Sequence, residues 1–378
     1  MIKVMNIISD TNIGGAGKDV ITYCNNYNKK KIELTVVIPK GSLLKEEIQK
    51  ANVNIIELDG LKDKSLDIQA IPKLIKLIKK EKPDIVHTHA SLSARIASRF
   101  CKNVKIVYTK HCVFPPGKKY NYAIVRKANR LVTNLLADKI IASAQVAKDD
   151  LIKQGNQEEK IIVILNGVDG FKKLSDATKN KIRKKYNIGE NDIVVGILAR
   201  IEELKGHKYF VEAADILKKS GYTNIKYLIM GTGSYEEELK EKVSSLGLKE
   251  DIIFTGFIKN VEEILNIVDI QVNASYISET TCLSLLEGMS LGIPAVATNC
   301  GGTSKVIRTG ENGILVEKEN ANEIAEGIKW LLEDKQKLDE IQHNCIEIFN
   351  DEYNAKKYAE NFEKVYESMV KDNENNRK

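Results

Sequence analysis

The 378-residue sequence predicts two doubly wound α/β domains in tandem. Three observations predict it. Short runs rich in Ile and Val alternate with helical stretches along the chain, as in a parallel sheet covered by helices on both faces. The series of strands is interrupted once, by the polar stretch Lys172–Asp192, and then begins again. At roughly 150 residues per domain, the length suits about two domains, each large enough for a core.

The elements follow in order. Met1–Ser9 is apolar and ends at Asp10 without a small-residue cleavage site, so it reads as a first buried strand rather than a leader. Leu34–Ile38, Val53–Leu58, Asp84–His87, Lys105–Thr109, Lys139–Ser143 and Ile161–Leu165 continue the first sheet. Helical stretches such as Ile71–Glu81 lie between them. Lys172–Asp192 carries one helix and few strand formers. The second series is Ile193–Ala199, Lys226–Met230, Ile252–Thr255, Asp269–Val272, Ala295–Thr298 and Gly313–Val316. The expected domains are 1–170 and 171–353. A last helix, Asn354–Val370, has Tyr358, Phe362, Val365 and Tyr366 at helical spacing, and its position alone does not say which domain it joins. The charged tail Lys371–Lys378 is expected to fray.

Hydrophobic content of 43% and charged content of 29% fit a globular protein and exclude a disordered one. No apolar run approaches the ~18 residues of a membrane span. The six cysteines are scattered without a C-x-x-C pair, which argues against a zinc site or a disulfide framework. They read as small buried hydrophobes in a reducing compartment. The net charge of +6 combines a strongly basic first 170 residues with a net acidic remainder. An anionic surface or substrate for the basic half is one reading, and a solvated lysine-rich face is the other. The basic residues are not interleaved with aromatics, so nucleic acid is not an expected partner.

Four features could handle phosphate, since ligands of such sheets bind beyond the carboxyl ends of the strands. The first is Gly14-Gly15-Ala16-Gly17, between the first strand and a helix whose N-terminus could receive an anion. A P-loop would need glycine where Asn12 stands and Ser or Thr where Asp19 stands, and the G-x-G-x-x-G spacing is absent. The second is Arg200 with Lys205-Gly206, two cations just beyond Ile193–Ala199 that could converge on one diphosphate. The third is the turn Gly231-Thr232-Gly233 after Lys226–Met230, where backbone could approach a ligand. The fourth is the pair Glu279 and Glu287, the latter within an expected helix Thr281–Leu291. Carboxylates suit polyols because each accepts hydroxyl hydrogen bonds, and the helix N-terminus between them could receive the diphosphate. Taken singly, each feature has an ordinary reading as a turn or as solvated surface charge. Asp-x-Asp occurs nowhere, so no metal is expected on a diphosphate bound here.

Together these residues resemble the family-four retaining glycosyltransferases of GT-B fold, with the Glu-x7-Glu motif. The resemblance spans nearly the whole chain. It includes Pro83-Asp84-Ile85-Val86-His87-Thr88-His89, Asn166-Gly167-Val168-Asp169, the block 196–206, and Glu279 through Gly302 with Gly288 and Pro294 in place. It implies two Rossmann-like domains facing a cleft, with the last helix returning to the N-terminal domain. It implies that Arg200 and Lys205 hold the donor diphosphate, that Glu279 binds the sugar hydroxyls and that Glu287 binds the ribose. Gly231, Thr280, Thr281, Cys282 and Leu283 would complete the donor site, and Gly14 and Gly15 would close on the phosphate. His111 matches the histidine that faces the anomeric centre, whereas His87 and His89 are read as structural. Two departures stand out. Thr280-Thr281-Cys282 replace the Gly-Phe-Gly-like residues usual after the first glutamate, and Thr303-Ser304 replace a common Pro-Glu pair.

The implied reaction is metal-independent, cofactor-free transfer of a hexosyl unit with retention, in which the leaving diphosphate helps take the acceptor proton. The donor expected is a UDP-sugar, and the acceptor a glycan or lipid-linked sugar of cell-envelope or polysaccharide biosynthesis. A nucleotide-sugar epimerase of the same fold, a non-catalytic sugar-nucleotide binder and an NAD-dependent oxidoreductase are the competing readings. The expected location is cytoplasmic, peripheral on the inner membrane face. That last expectation is motivated by the charge asymmetry between the halves and by the segment Lys118–Leu136. There Ile124, Val125, Ala128, Leu131, Val132, Leu135 and Leu136 fall at helical spacing beside Lys118, Lys119, Arg126, Lys127 and Arg130. Such a helix either lies on an anionic membrane or packs on the core with a solvated basic side.

Overall fold

A computed structural model describes residues 1–61, 64–89, 91–111, 122–277 and 281–375, with side chains described as far as residue 371. The chain divides into two compact units, Met1–Val168 with Asn354–Lys378, and Asp169–Tyr353.

The first unit holds a seven-stranded sheet. Its strands are β1 (Ile2–Ile8), β2 (Ile32–Pro39), β3 (Asn54–Leu58), β4 (Ile85–His89), β5 (Lys105–Lys110), β6 (Lys139–Ala142) and β7 (Ile161–Val163), in the order β3-β2-β1-β4-β5-β6-β7. Every described pairing is parallel. The Ile- and Val-rich strands suit this arrangement because a parallel sheet is buried on both faces. The helix Ala70–Glu81 shows the packing logic. Ala70, Leu74 and Ile78 recur every four residues, and all three are buried against one face of the sheet.

The last helix, Ala355–Asn375, covers the other face. Tyr358, Ala359, Phe362, Val365, Tyr366 and Met369 join Val4, Ile8, Tyr23, Val107 and Ile141 in one core. The chain leaves this unit at Val168 and re-enters it at Asn354, where the two segments bridge and Ala355 N–H donates to the Val168 carbonyl at 3.0 Å. The unit boundary thus falls just ahead of the polar stretch. Lys172–Asp192 belongs wholly to the second unit, and its helix, Asp176–Lys185, is capped by the Ser175 hydroxyl.

The second unit repeats the plan with six strands. They are β8 (Ile193–Leu198), β9 (Ile225–Met230), β10 (Ile252–Gly256), β11 (Ile270–Asn273), β12 (Ala295–Thr298) and β13 (Gly313–Val316), ordered β10-β9-β8-β11-β12-β13. In each sheet the first strand is central and the strand order reverses beside it, between β1 and β4 and between β8 and β11. That reversal leaves a crevice beyond the carboxyl ends of the two strands, where doubly wound folds bind ligands.

Candidate functional site

Arg200 and Lys205 stand at the reversal point of the second sheet. They follow β8, and β11 runs beside it. Together with Glu202, Glu203, Leu204, Ser234, Tyr235 and Ile277 they line a cavity of about 510 Å³, within the ~300–1,000 Å³ usual for small-molecule sites. The cavity also holds two carboxylates, which the sequence reading missed. Glu202 accepts from the Ser234 hydroxyl at 2.9 Å. Burial and then the Glu238 carboxylate push the Tyr235 phenol up to about 12, so it remains a hydrogen-bond donor at neutral pH.

Backbone contacts fix these loops to one another. Ile201 N–H donates to Thr232 O at 2.9 Å, Tyr235 N–H to Ile201 O at 3.0 Å, and Tyr276 N–H to Leu204 O at 3.3 Å. Two glycines make the close packing possible. Gly206 has φ +70°, and a Cβ there would lie 1.9 Å from the Ala274 carbonyl oxygen. Only glycine can end the Glu203–Lys205 turn against the loop after β11 in this way. Gly231 has φ +145°, and a Cβ there would lie 2.1 Å from the Ala199 oxygen. The turn 231–233 therefore approaches the Arg200 loop itself. Here the close backbone approach that the glycines allow is to that loop. His207, next after Gly206, is fully buried, and both ring nitrogens lack partners among the described residues. Burial, and then Lys205, lower its pKa to about 4, so it is neutral beside the cation.

The expected helix Thr281–Leu291 is shorter, running from Leu283 to Ser290 with Cys282 before its first turn. Thr281 and Cys282 are buried, and the Asn273 amide donates to Cys282 Sγ at 2.9 Å. Glu287 is half-buried on this helix. Glu279 and Thr280 lie outside the described residues, as do Lys118 and Lys119. Among the described residues no group of three or more His, Cys, Asp or Glu could hold a metal ion. Cys24, Cys101, Cys282, Cys300 and Cys345 are free thiols, all buried except Cys101.

In the first unit Gly14 is the N-cap of the helix Gly15–Asn26. A Cβ on Gly14 or Gly15 would meet nothing within 4 Å, so no packing demand explains these glycines. His111 is held on both ring nitrogens. Nδ1 is 2.9 Å from Asp19 Oδ2, and Nε2 is 2.8 Å from His89 Nδ1. His87 links Tyr366 of the last helix, at 2.7 Å, to Thr109 of β5, at 2.6 Å. It therefore joins the sheet to the helix that covers it. Asp19, noted in the sequence only as a departure from a P-loop, finds its partner 92 residues away.

The helix expected within Lys118–Leu136 is described over Ala123–Leu136, and its core-facing reading is corrected. Ile124, Leu131, Val132 and Leu135 are all exposed, Ile124 by 78%, while only Thr133 and Leu136 are buried. Among the described residues no helix is long and apolar enough to cross a membrane.

Two parallel α/β units, each with a crevice at its strand-order reversal and the second with paired cations there, define a GT-B glycosyltransferase. Residues 13–170 match Glycosyltransferase Family 4, and residues 178–348 match Glycosyl transferases group 1. The chain belongs to this family of glycosyltransferases. It is 29% identical to a putative glycosyltransferase, EpsD, of Bacillus subtilis, over 68% of this chain and 70% of that one. It is 28% identical to the UDP-Gal:alpha-D-GlcNAc-diphosphoundecaprenol alpha-1,3-galactosyltransferase of Escherichia coli, over 80% of each. Among solved structures, a glycosyltransferase from Rickettsia africae superposes with a TM-score of 0.85 at 22% identity, covering 98% of this chain and 99% of that one. Anabaena HepE in complex with UDP superposes at 0.82 and 21%, covering 97% and 100%. The competing oxidoreductase, epimerase and non-catalytic readings give way to glycosyl transfer.

Proposed function

We propose that the protein transfers a hexosyl unit, with retention and without a metal, from a UDP-sugar to a glycan or lipid-linked acceptor of cell-envelope polysaccharide biosynthesis. The observation that carries the donor half is the cavity lined by Arg200 and Lys205 at the β8/β11 reversal. Arg200 can bind a diphosphate in a forked geometry, and Lys205 adds a point charge as the leaving group gains charge. Glu279 takes the sugar hydroxyls, Glu287 takes the ribose, and Thr280, Thr281, Cys282, Leu283 and Gly231 shape the donor site. Gly14 and Gly15 serve the donor phosphate, and His111 the anomeric centre. The similarity to a UDP-galactose transferase, and to a fold solved with UDP in Anabaena HepE, favours uridine. A thermal-shift panel of UDP-, GDP- and ADP-sugars and NAD tests the donor. UDP-sugars should raise the melting temperature most, equally with and without EDTA. Stabilisation by NAD alone, or only with a divalent metal, would refute this donor reading.

In the same reading the protein works at the cytoplasmic face of a membrane. The exposed residues Ile124, Leu131, Val132 and Leu135 lie on the helix that also carries Arg126, Lys127 and Arg130. Apolar side chains entering the interface beside cations would bind anionic lipid. Each large apolar side chain removed from water contributes about 1.5–3 kcal/mol. Leu131→Asp with Leu135→Asp should therefore weaken co-sedimentation with anionic liposomes at low salt by at least about a hundredfold. If the unaltered protein ignores such liposomes, membrane association is wrong.

A further inference from the structure

Asp19 is a carboxyl side chain buried in the first unit. It lies in the helix Gly15–Asn26 and is 2% exposed. Its Oδ2 is 2.9 Å from Nδ1 of His111, itself 8% exposed. Nε2 of His111 meets Nδ1 of His89 at 2.8 Å, and the two rings stack with centroids 5.1 Å apart. His89 is 2% exposed, and its Nε2 has no partner among the described residues.

The chemistry of the three groups sets the direction of this chain. A carboxylate only accepts hydrogen bonds, so the proton between Asp19 and His111 sits on Nδ1. In a neutral imidazole the other nitrogen then accepts, so His111 Nε2 takes a hydrogen bond from His89 Nδ1–H. His89 is left with a lone pair on Nε2. Burial, and then the neighbouring His87 and His111, hold His89 in its neutral form, which keeps that lone pair on Nε2. Without Asp19, either nitrogen of His111 could carry the proton, and the His111–His89 bond could run either way.

We propose that Asp19 is a positioning residue for the transfer reaction, locking His111 in one tautomer and one ring orientation. The proposal rests on the reading that His111 serves the anomeric centre. With both ring nitrogens engaged, His111 acts through where it stands rather than by taking a proton. Asp19 holds the end of β5 in register with the helix Gly15–Asn26, and a small displacement of a positioned group costs turnover steeply.

Histidine ¹⁵N NMR of the full chain tests it, since only five histidines need assigning by single substitution. In the unaltered protein His111 should show its proton on Nδ1. In Asp19→Asn, whose amide can also donate, the Nε2–H form should appear. In that variant kcat should fall about tenfold to a hundredfold while the KM for the donor stays within about twofold. A proton on Nε2 of His111 in the unaltered protein would overturn the proposal. So would an Asp19→Asn variant with unchanged tautomer and turnover. The NMR of the unaltered protein decides the point even if the variant folds poorly. The underlying reading fails separately: His111→Ala with full turnover would remove His111 from the reaction, and Asp19's functional role with it, whatever the tautomer.

Discussion

Replacing Arg200 by alanine is expected to lower kcat by about 10²–10³-fold, a loss of about 3–4 kcal/mol of transition-state stabilisation. In the proposed reaction negative charge grows on the leaving group as the glycosidic bond to the diphosphate breaks, and the Arg200 loop would meet it. Ile201 is tied to Thr232 and Tyr235, and Gly206 packs on Ala274. Donors fixed in advance need no reorganisation as charge develops. Glu202 and Glu203 line the same cavity and weaken its field, so the loss of one of its two cations should be felt fully. Arg200 is exposed, so the fold should hardly notice. Steady-state kinetics with a thermal melt check this. A kcat within threefold of the unaltered protein would remove Arg200 from the leaving-group site.

The second large effect is acid lability. His87 and His207 are buried and neutral, with pKa values lowered by burial to about 3 and about 4. In an unfolded chain each returns to about 6.5. Between those values the unfolded chain binds more protons than the folded one, so stability falls as pH drops below about 6.5. At pH 5 each histidine should cost about 2 kcal/mol relative to pH 7. His89, lowered in the same direction, adds to the loss in the first unit. The only tryptophan, Trp330, lies in the second unit, so its fluorescence follows that unit alone. Its urea midpoint should fall between pH 7 and pH 5, and His207→Leu should remove most of that fall. Burial raises the pKa of Asp269 and works in the opposite sense, so the comparison with His207→Leu is the decisive one. An unchanged pH dependence in that variant would refute the account.

Much of the fold was legible in the sequence. Among the described residues, all thirteen strands stand where runs of Ile and Val placed them, with ends moved by at most two residues. A buried parallel strand must be apolar on both faces, and that is a local property. The helix that carries Glu287 is shorter than its sequence suggests. Thr281 and Cys282 have no helical conflict in sequence, yet they are buried before the first turn, where Cys282 meets Asn273 of β11. The helix Ala123–Leu136 was legible as amphipathic, but periodicity cannot say whether an apolar stripe meets core or solvent. The exposure of Ile124, Leu131 and Leu135 decided that.

The site divides in the same way. Arg200 and Lys205 were readable because they follow a strand directly, so their place at a strand end is set by chain continuity. Asp19, Glu202, Ser234 and Tyr235 were not, because what matters about each is a partner brought near by folding. The sequence by itself determined two α/β units, their strands, the charge imbalance between the halves and the cations beyond β8. Only the tertiary structure decided the strand orders that place reversal points beside β1 and β8, and the burial of Tyr358, Phe362 and Tyr366 in the first unit's core. It alone revealed the chain Asp19–His111–His89. The reason is physical: strand and helix formation follow from hydrophobic spacing over a few residues, whereas these features depend on contacts between segments tens to hundreds of residues apart.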